Sequence, residues 1–207
     1  MENNIWPTIH SERGALADDL ADLRDDQWQT QSLCTDWTVH DVLAHQLATA
    51  EMTPPKFIGK FAAAGFNFDR FAAKEVAREG AGGPAATLAA FRAASGRTSA
   101  PPGPKPTWLG EVIVHGEDIR RPLGITHTYP MADITSALNL YAHSNAIIGG
   151  KRRVTGLTLT ATDTDFSTGS GPAVQGPALA LLLAASGRKS ALDELTGPGV
   201  DELRKRP

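Results

Sequence analysis

The chain has 207 residues, of which 41% are hydrophobic, and its formal net charge is −3 with acids and bases interspersed. This composition is compatible with a packed core and argues against wholesale disorder, and no basic face for nucleic acid stands out. No apolar run reaches membrane-spanning length, the N-terminus has no secretory pattern, and a single cysteine, Cys34, excludes an internal disulfide. We therefore expect a cytoplasmic monomer or homodimer with neither a membrane nor a nucleic-acid partner.

The first 149 residues predict helices separated by short breaks. A first helix is expected over residues 7–28, with Pro7 in its first turn. A second begins at Thr38, where Thr38-x-x-Asp41 has the form of a capping box, and stops before Pro54. Further helices are expected over residues 56–78, 85–97, 107–124 and 131–148. A proline-rich linker at residues 101–106 precedes the helix over residues 107–124.

The pattern changes after residue 150. Val154, Leu157 and Leu159 are interleaved with threonines, which predicts a strand, and residues 165–171 predict a second, weaker strand with a turn. An apolar helix within residues 176–188, ending at Ser186-Gly187, and two short helical pieces follow. We therefore predict a helical domain over residues 1–149 and a small α+β domain over residues 150–207.

The helix over residues 107–124 carries the most informative spacing. Trp108, Val112, His115 and Ile119 form an apolar stripe, so His115 faces a core. Glu111 precedes His115 by four residues, so both side chains project to the same side of the helix. The pair predicts either two metal ligands or a mutual hydrogen bond on a half-exposed face.

A metal site needs a third ligand, and the second helix offers His40 and His45. Five residues at about 100° each place these two side chains about 140° apart, so they cannot both point at one site. His45 continues a row with Val42, Thr49 and Met52, whereas His40 lies in the first turn. His45 is therefore the better inward-facing candidate.

Residues 36–45, DWTVHDVLAH, and residues 110–124, GEVIVHGEDIRRPLG, resemble the mycothiol-dependent maleylpyruvate isomerase family of DinB-like metal-binding bundles. Residues 178–188 and 194–199 are similar to that family's small sterol-carrier-protein-like domain. The resemblance covers most of the chain. It implies a mainly α fold, in which a DinB-like four-helix bundle precedes a small α+β C-terminal domain.

By motif, the resemblance implies that His45, Glu111 and His115 bind a divalent metal. Zinc is the first choice, with nickel or iron as alternatives, and two imidazoles with one carboxylate leave a coordination position open for catalysis. Asp118 is either an acceptor for an imidazole N–H or an exposed helix residue. Arg188 matches an arginine of the family's second domain. It either binds a substrate carboxylate or is a cation at a helix C-terminus, where the helix dipole stabilises it.

The chemistry implied by the resemblance is thiol-dependent. Mycothiol would be the co-substrate, and its thiolate would add to a small electrophilic substrate, with anionic substrates directed toward Arg188 in a cleft between the domains. The sequence leaves isomerase and thiol transferase both open. It also leaves open a non-catalytic metal-binding bundle that senses a thiol or small molecule, a small-molecule carrier, and either a reactive or a structural role for Cys34.

Overall fold

The computed structural model describes residues 4–145 and 148–206. Its α-helices are α1 Trp6–Asp19, α2 Asp25–Trp28, α3 Val39–Glu51, α4 Pro54–Ala63, α5 Phe68–Gly80, α6 Gly83–Ala94, α7 Lys105–Arg120, α8 Met131–His143, α9 Gly150–Val154, α10 Ala178–Ala185 and α11 Val200–Arg204. The strands are β1 Thr158–Ala161, β2 Ser167–Gly169 and β3 Ala173–Gly176, and a 3-10 helix covers Lys189–Glu194. The chain divides into two compact units, Met1–His127 and Thr128–Pro207.

In the N-terminal unit, α3 is the central helix. It packs against α5, α6 and α7, and α1 packs against α6 and α7. Leu43 and Leu47 of α3 meet Leu20, Phe91 and Ile119 in the main hydrophobic core, where each of these side chains is almost completely buried. This burial holds α3 and α7 side by side, and those two helices carry the predicted metal ligands.

The predicted start of the second helix is confirmed at Thr38. The Thr38 hydroxyl accepts a hydrogen bond from the Asp41 backbone N–H, and the Asp41 carboxylate accepts one from the Thr38 N–H at 2.9 Å. This reciprocal pairing satisfies N–H groups that a helix start leaves unpaired. It fixes the first turn of α3 ahead of His45.

Two predicted helices are broken in the structure. The first ends at Asp19, and α2 forms separately after a turn. The one expected over residues 56–78 is divided into α4 and α5, because Gly65 and Phe66 both have positive φ, at 69° and 56°. Asn67 then caps α5 by accepting from the Arg70 N–H at 2.8 Å. Left-handed residues cannot continue a right-handed helix, so the chain turns there.

The helix α7 ends at Arg120, earlier than the predicted Gly124. Gly124 nevertheless acts as the stop, because it has a φ of 70° and the next N–H, that of Ile125, donates to the Arg120 carbonyl at 2.9 Å. This is the glycine-terminated geometry common at helix C-termini.

The C-terminal unit contains one three-stranded sheet in the order β2-β1-β3. The strand β1 pairs antiparallel with β2 and parallel with β3. The two predicted strand regions are present, and β3 is an additional strand. Residues 152–154, where the alternating pattern indicated a strand, lie in the helix α9. The apolar helix α10 packs against β1, α8 and α9 within this unit.

The fold class is mainly α with a small C-terminal sheet, as predicted. The helix α8 packs on α9 and α10 and belongs to the C-terminal unit, whereas the sequence assigned it to the helical domain. That helix was also expected to reach residue 148; it ends at His143, and residues 146–147 lie outside the described part. The domain boundary at residues 149–150 stays a prediction. Among the described residues, no helix is both long and apolar enough to cross a membrane.

Candidate metal centre

Two neighbouring helices of the N-terminal unit bring three potential metal ligands together. The helix α3 contributes His45, and α7 contributes Glu111 and His115 one turn apart. The imidazole nitrogens and the carboxylate oxygen of this group all lie within 4.8 Å of one another. The structure thus groups the three residues that the sequence proposed as ligands.

The carboxylate of Glu111 lies between the two imidazoles. Its Oε1 is 2.8 Å from Nε2 of His45, and its Oε2 is 3.7 Å from Nε2 of His115. The His45 and His115 rings contact each other at a centroid distance of 4.8 Å. The three side chains are only 14–16% exposed, so bulk water contributes little to their solvation.

A buried carboxylate fixes the orientation of His115. Nδ1 of His115 lies 2.8 Å from Oδ2 of Asp118, whose side chain is completely buried. A carboxylate only accepts hydrogen bonds, so Nδ1 carries the proton and donates it, which turns Nε2 toward Glu111. Of the two interpretations of Asp118, the structure supports the imidazole acceptor. A carboxylate behind a histidine is the usual support of a metal-binding imidazole.

The charges of the site depend on one another. Burial opposes a charge on Glu111, but the positive fields of His115 and His45 and the hydrogen bonds from His45 and Thr49 lower its pKa to about 2. Burial also disfavours a charged His115, yet Glu111, together with Asp118 and Cys34, raises the pKa of His115 to about 10. Without an ion, a carboxylate and an imidazolium therefore stabilise each other at neutral pH.

These residues fit a divalent cation. Zinc bonds of about 2.0–2.1 Å to nitrogen and oxygen place neighbouring tetrahedral ligands about 3.3 Å apart. The separations of 2.8 Å and 3.7 Å between Glu111 and the two imidazoles lie on either side of this value. The 3.7 Å distance is too long for a hydrogen bond, so the Glu111–His115 pair does not have the mutual hydrogen bond that would make it purely structural. Two imidazoles and a carboxylate are a common donor set of catalytic zinc sites.

His40 lies away from this group. Its Nε2 is 3.0 Å from the Thr87 hydroxyl, and its ring meets Trp28 edge-on at 6.2 Å. Burial lowers the pKa of His40, with Asp41 acting in the opposite direction. The structure therefore gives His40 a packing role and leaves His45 as the histidine of α3 that reaches Glu111.

Cys34 lies behind His115, on the side of Asp118. Its Sγ is 3.1 Å from Oδ2 of Asp118 and 3.8 Å from Nδ1 of His115. The thiol is partly buried and belongs to the shell around the ligands. Cys34, His115 and Asp118 also form a second group with metal-ligating atoms close together. Its imidazole contribution would be Nδ1, the atom that already donates to Asp118.

Two further side chains support Glu111 and were not proposed from the sequence. The Thr49 hydroxyl donates to Oε1 of Glu111 at 3.2 Å, and the Gln46 amide donates to the Glu111 backbone carbonyl at 3.1 Å. Thr49 stands four residues after His45, so the row that selected His45 already contained it. Nothing in the spacing distinguishes a threonine that contacts a ligand from one that only packs. The ring of Trp37 lies 5.0 Å from that of His45 and covers it.

Arg188 belongs to the C-terminal unit. Its Nη1 donates to the Ser186 carbonyl at 2.9 Å, and it lines a small cavity with Arg153 and Arg206. Burial lowers the pKa of Arg153, and the neighbouring charge of Arg188 lowers it further. Arg188 thus lies in a locally positive environment, which is compatible with binding an anion.

A family model described as the mycothiol maleylpyruvate isomerase N-terminal domain matches residues 9–102. The matched range includes His45, while Glu111 and His115 follow it. None of the curated proteins matches this chain with significant sequence similarity.

Two crystal structures have a similar fold. A histidine-to-alanine mutant of the mycothiol-dependent maleylpyruvate isomerase is 17% identical, with a TM-score of 0.61 over 93% of this chain and 91% of that chain. A second structure of the mycothiol-dependent maleylpyruvate isomerase is 13% identical, with a TM-score of 0.53 over the same shares of the two chains. At these identities the likeness establishes the fold. Residues 9–102 are thus similar to the family of the mycothiol maleylpyruvate isomerase N-terminal domain.

Proposed function

We propose that the protein is a metal-dependent enzyme that uses mycothiol as co-substrate, either as an isomerase or as a thiol transferase, on a small electrophilic substrate. The observation that carries this proposal is the convergence of His45, Glu111 and His115 with Asp118 behind His115. The family of residues 9–102 supports the choice of thiol.

In this proposal His45, Glu111 and His115 hold the cation, with zinc preferred and nickel or iron as alternatives. A bound Zn²⁺ strongly lowers the pKa of a thiol, so it would supply the thiolate of mycothiol at neutral pH. Asp118 keeps the Nδ1 proton of His115 in place, and Thr49 orients the Glu111 carboxylate. These two hydrogen bonds preorganise the ligands on rigid helices.

Arg188 is proposed as the group that binds a carboxylate of an anionic substrate. A guanidinium can form two parallel hydrogen bonds with a carboxylate, which fixes both position and orientation. The positive environment that Arg188 shares with Arg153 supports this role.

The metal is tested by elemental analysis of the purified protein and of three variants. We expect about one divalent ion per wild-type chain and loss of most of it in His45→Ala and in His115→Ala. His40→Ala is the matched control, because His40 bonds to Thr87 and not to Glu111, and it should keep its metal. Equal loss in all three variants would contradict this choice of ligands.

The activity is tested by following thiol-dependent isomerisation of maleylpyruvate and thiol addition to a small panel of electrophiles. Consumption of the thiol indicates a transferase, and its recovery indicates an isomerase. Arg188→Ala should keep its metal and lose at least tenfold in activity, whereas Glu111→Ala should lose both. Lys189→Gln removes a neighbouring charge and serves as the control for Arg188→Ala.

A non-catalytic metal-binding bundle that senses or carries a thiol or another small molecule is the alternative. It predicts the same metal content and no turnover. A metal-loaded protein that neither binds mycothiol nor converts any panel member would favour that alternative.

A further inference from the structure

The exposed large hydrophobic side chains of the described residues lie in one segment of the N-terminal unit. Ile58 is 63% exposed, Phe66 is 72% exposed and Phe68 is 50% exposed. Five of the seven phenylalanines of the chain fall within residues 57–71, and α4 has no buried residue along its length. Contiguous exposed apolar surface on a protein usually marks a site that binds a partner molecule or a membrane.

The two exposed phenylalanines, Phe66 and Phe68, pack on a connected group of aromatic rings. The ring of Phe66 meets Phe61 edge-on at 5.6 Å, and Phe68 meets Phe71 at 6.0 Å. Phe61 and Phe71 are themselves 6.1 Å apart, and Phe57 contacts both of them. The exposed rings therefore belong to one continuous aromatic cluster across the turn between α4 and α5.

The same segment of the chain is rich in basic side chains. Residues 54–74 contain Lys56, Lys60, Arg70 and Lys74 but only one acid, Asp69, so the segment carries +3 in a chain of net charge −3. Lys60 pairs with Glu75 at 2.6 Å.

The other three cations are exposed and form no ion pair among the described residues. Nη1 of Arg70 lies 3.8 Å from where a Cβ on Gly65 would be, so this guanidinium lies beside the turn that carries Phe66.

We propose that Ile58, Phe66 and Phe68, together with Lys56, Arg70 and Lys74, form a docking surface for an anionic lipid bilayer. This set is called the α4–α5 patch below. Exposed aromatic rings enter the boundary between headgroups and acyl chains, and cations beside them attract anionic headgroups. A second copy of the chain would bring another +3 segment against this one, which opposes self-association through the same face.

This docking is peripheral, and it revises the expectation of no membrane partner, which was based on the lack of a spanning segment. It is independent of the proposed chemistry, because none of the six residues of the patch is a proposed ligand. Loss of docking should therefore leave metal content and thiol-dependent activity in solution unchanged.

The test is co-sedimentation of the full chain with vesicles of phosphatidylcholine alone or with about a third phosphatidylserine. We expect binding to the anionic vesicles that weakens with added salt, since exposed charges are screened over about 10 Å at 0.1 M salt. The double variant Phe66→Ser with Phe68→Ser should lose at least tenfold in binding. The triple variant Lys56→Gln, Arg70→Gln and Lys74→Gln should also lose at least tenfold in binding. These three substitutions leave the aromatic cluster intact, so they should not disturb the fold.

The matched control removes three exposed cations of the C-terminal unit by Lys151→Gln, Arg152→Gln and Lys205→Gln, and it should bind like the wild type. Circular dichroism checks that each variant is folded. The proposal is overturned if the wild type ignores anionic vesicles, or if the control loses as much binding as the triple patch variant. It is also overturned if light scattering shows a dimer that the phenylalanine variant dissociates, because the occupant is then a second copy.

Discussion

At the scale of single residues, His115 lies between the two carboxylates of the candidate centre, those of Asp118 and Glu111. Its Nδ1 is committed to Asp118 at 2.8 Å, and its Nε2 faces Glu111. One imidazole is thereby held in a defined orientation by a carboxylate on each side. The Asp118 carboxylate is completely buried, so its charge acts on His115 with little screening by water.

The pKa of His115 predicts how metal binding depends on pH. A pKa of about 10 means that His115 carries a proton on Nε2 at pH 7, and a metal must displace it. We expect binding of Zn²⁺ at pH 7 to release about one proton from this residue, and the affinity to rise about tenfold per pH unit between pH 7 and 9. Calorimetric titration in two buffers with different ionisation enthalpies measures the proton release. A value near zero at pH 7 would contradict the assignment.

Removing the carboxylate behind His115 should weaken the metal without removing a ligand. We expect Asp118→Asn to lower metal affinity about 10- to 100-fold, the range typical for the supporting partner of a metal-binding histidine. Glu117→Gln is the matched control, since Glu117 is the adjacent buried carboxylate and pairs with Arg121. Competition with a metal-binding dye measures both variants, and equal affinities would exclude a supporting role for Asp118.

At the scale of elements, the start of α3 links local sequence to the site. The reciprocal bonds between Thr38 and Asp41 define the first turn of the helix that delivers His45 and Thr49. Capping is a local interaction, but it also helps to set the position of His45, two turns later, whose imidazole contacts Glu111 of α7. The cap therefore contributes to the site as well as to the stability of the bundle.

Loss of this cap should be measurable as stability. We expect Thr38→Ala to lower the free energy of unfolding by about 1 kcal/mol, the typical effect of removing a threonine cap. Thr35→Ala, at an exposed loop position that caps no helix, should change it by less than about 0.5 kcal/mol. Urea denaturation at neutral pH compares the two. A Thr38→Ala variant as stable as the control would mean that other contacts fix the start of α3.

At the scale of the whole molecule, the chain consists of two compact units with different interiors. All three proposed ligands, with Asp118 and Thr49, lie in the N-terminal unit. The C-terminal unit has its own core around Leu159, Val174 and the apolar helix α10. Damage confined to the C-terminal unit should therefore leave metal binding intact.

Gly171 offers a selective perturbation of the C-terminal unit. Its φ is 128°, and an added Cβ would lie 2.0 Å from the Gly156 carbonyl oxygen, so a side chain cannot fit without a backbone shift. We expect Gly171→Ala to cost about 1–3 kcal/mol, in the range of other overpacking changes, and to leave metal content unchanged. Amide hydrogen exchange should accelerate in β1, β2 and β3 only.

Gly14 in α1 provides the opposite case. A Cβ there would have no atom within 4 Å, and a helical glycine replaced by alanine gains about 0.5–1 kcal/mol. Gly14→Ala should therefore stabilise the protein.

For the Gly171→Ala variant, faster amide exchange throughout the chain would indicate that the two units unfold as one.

The sequence by itself determined the features that depend on neighbours within one or two turns. The Thr38 capping box, the Glu111–His115 spacing, the strand at Leu159 and the apolar helix α10 are all present in the structure. Capping, helical periodicity and strand alternation act over a few residues, so a linear pattern is enough to read them.

Only the tertiary structure decided which groups from distant parts of the chain meet. It brought His45, which the sequence had already preferred to His40, to 2.8 Å from Glu111, placed Asp118 and Cys34 behind His115, and added Thr49 to the carboxylate. It also placed α8 with the C-terminal elements, divided one predicted helix at residues 65–66, and added β3 to the sheet. These outcomes depend on how whole elements pack and which buried polar groups find partners, and sequence spacing does not encode the contacts of a side chain with an element far along the chain.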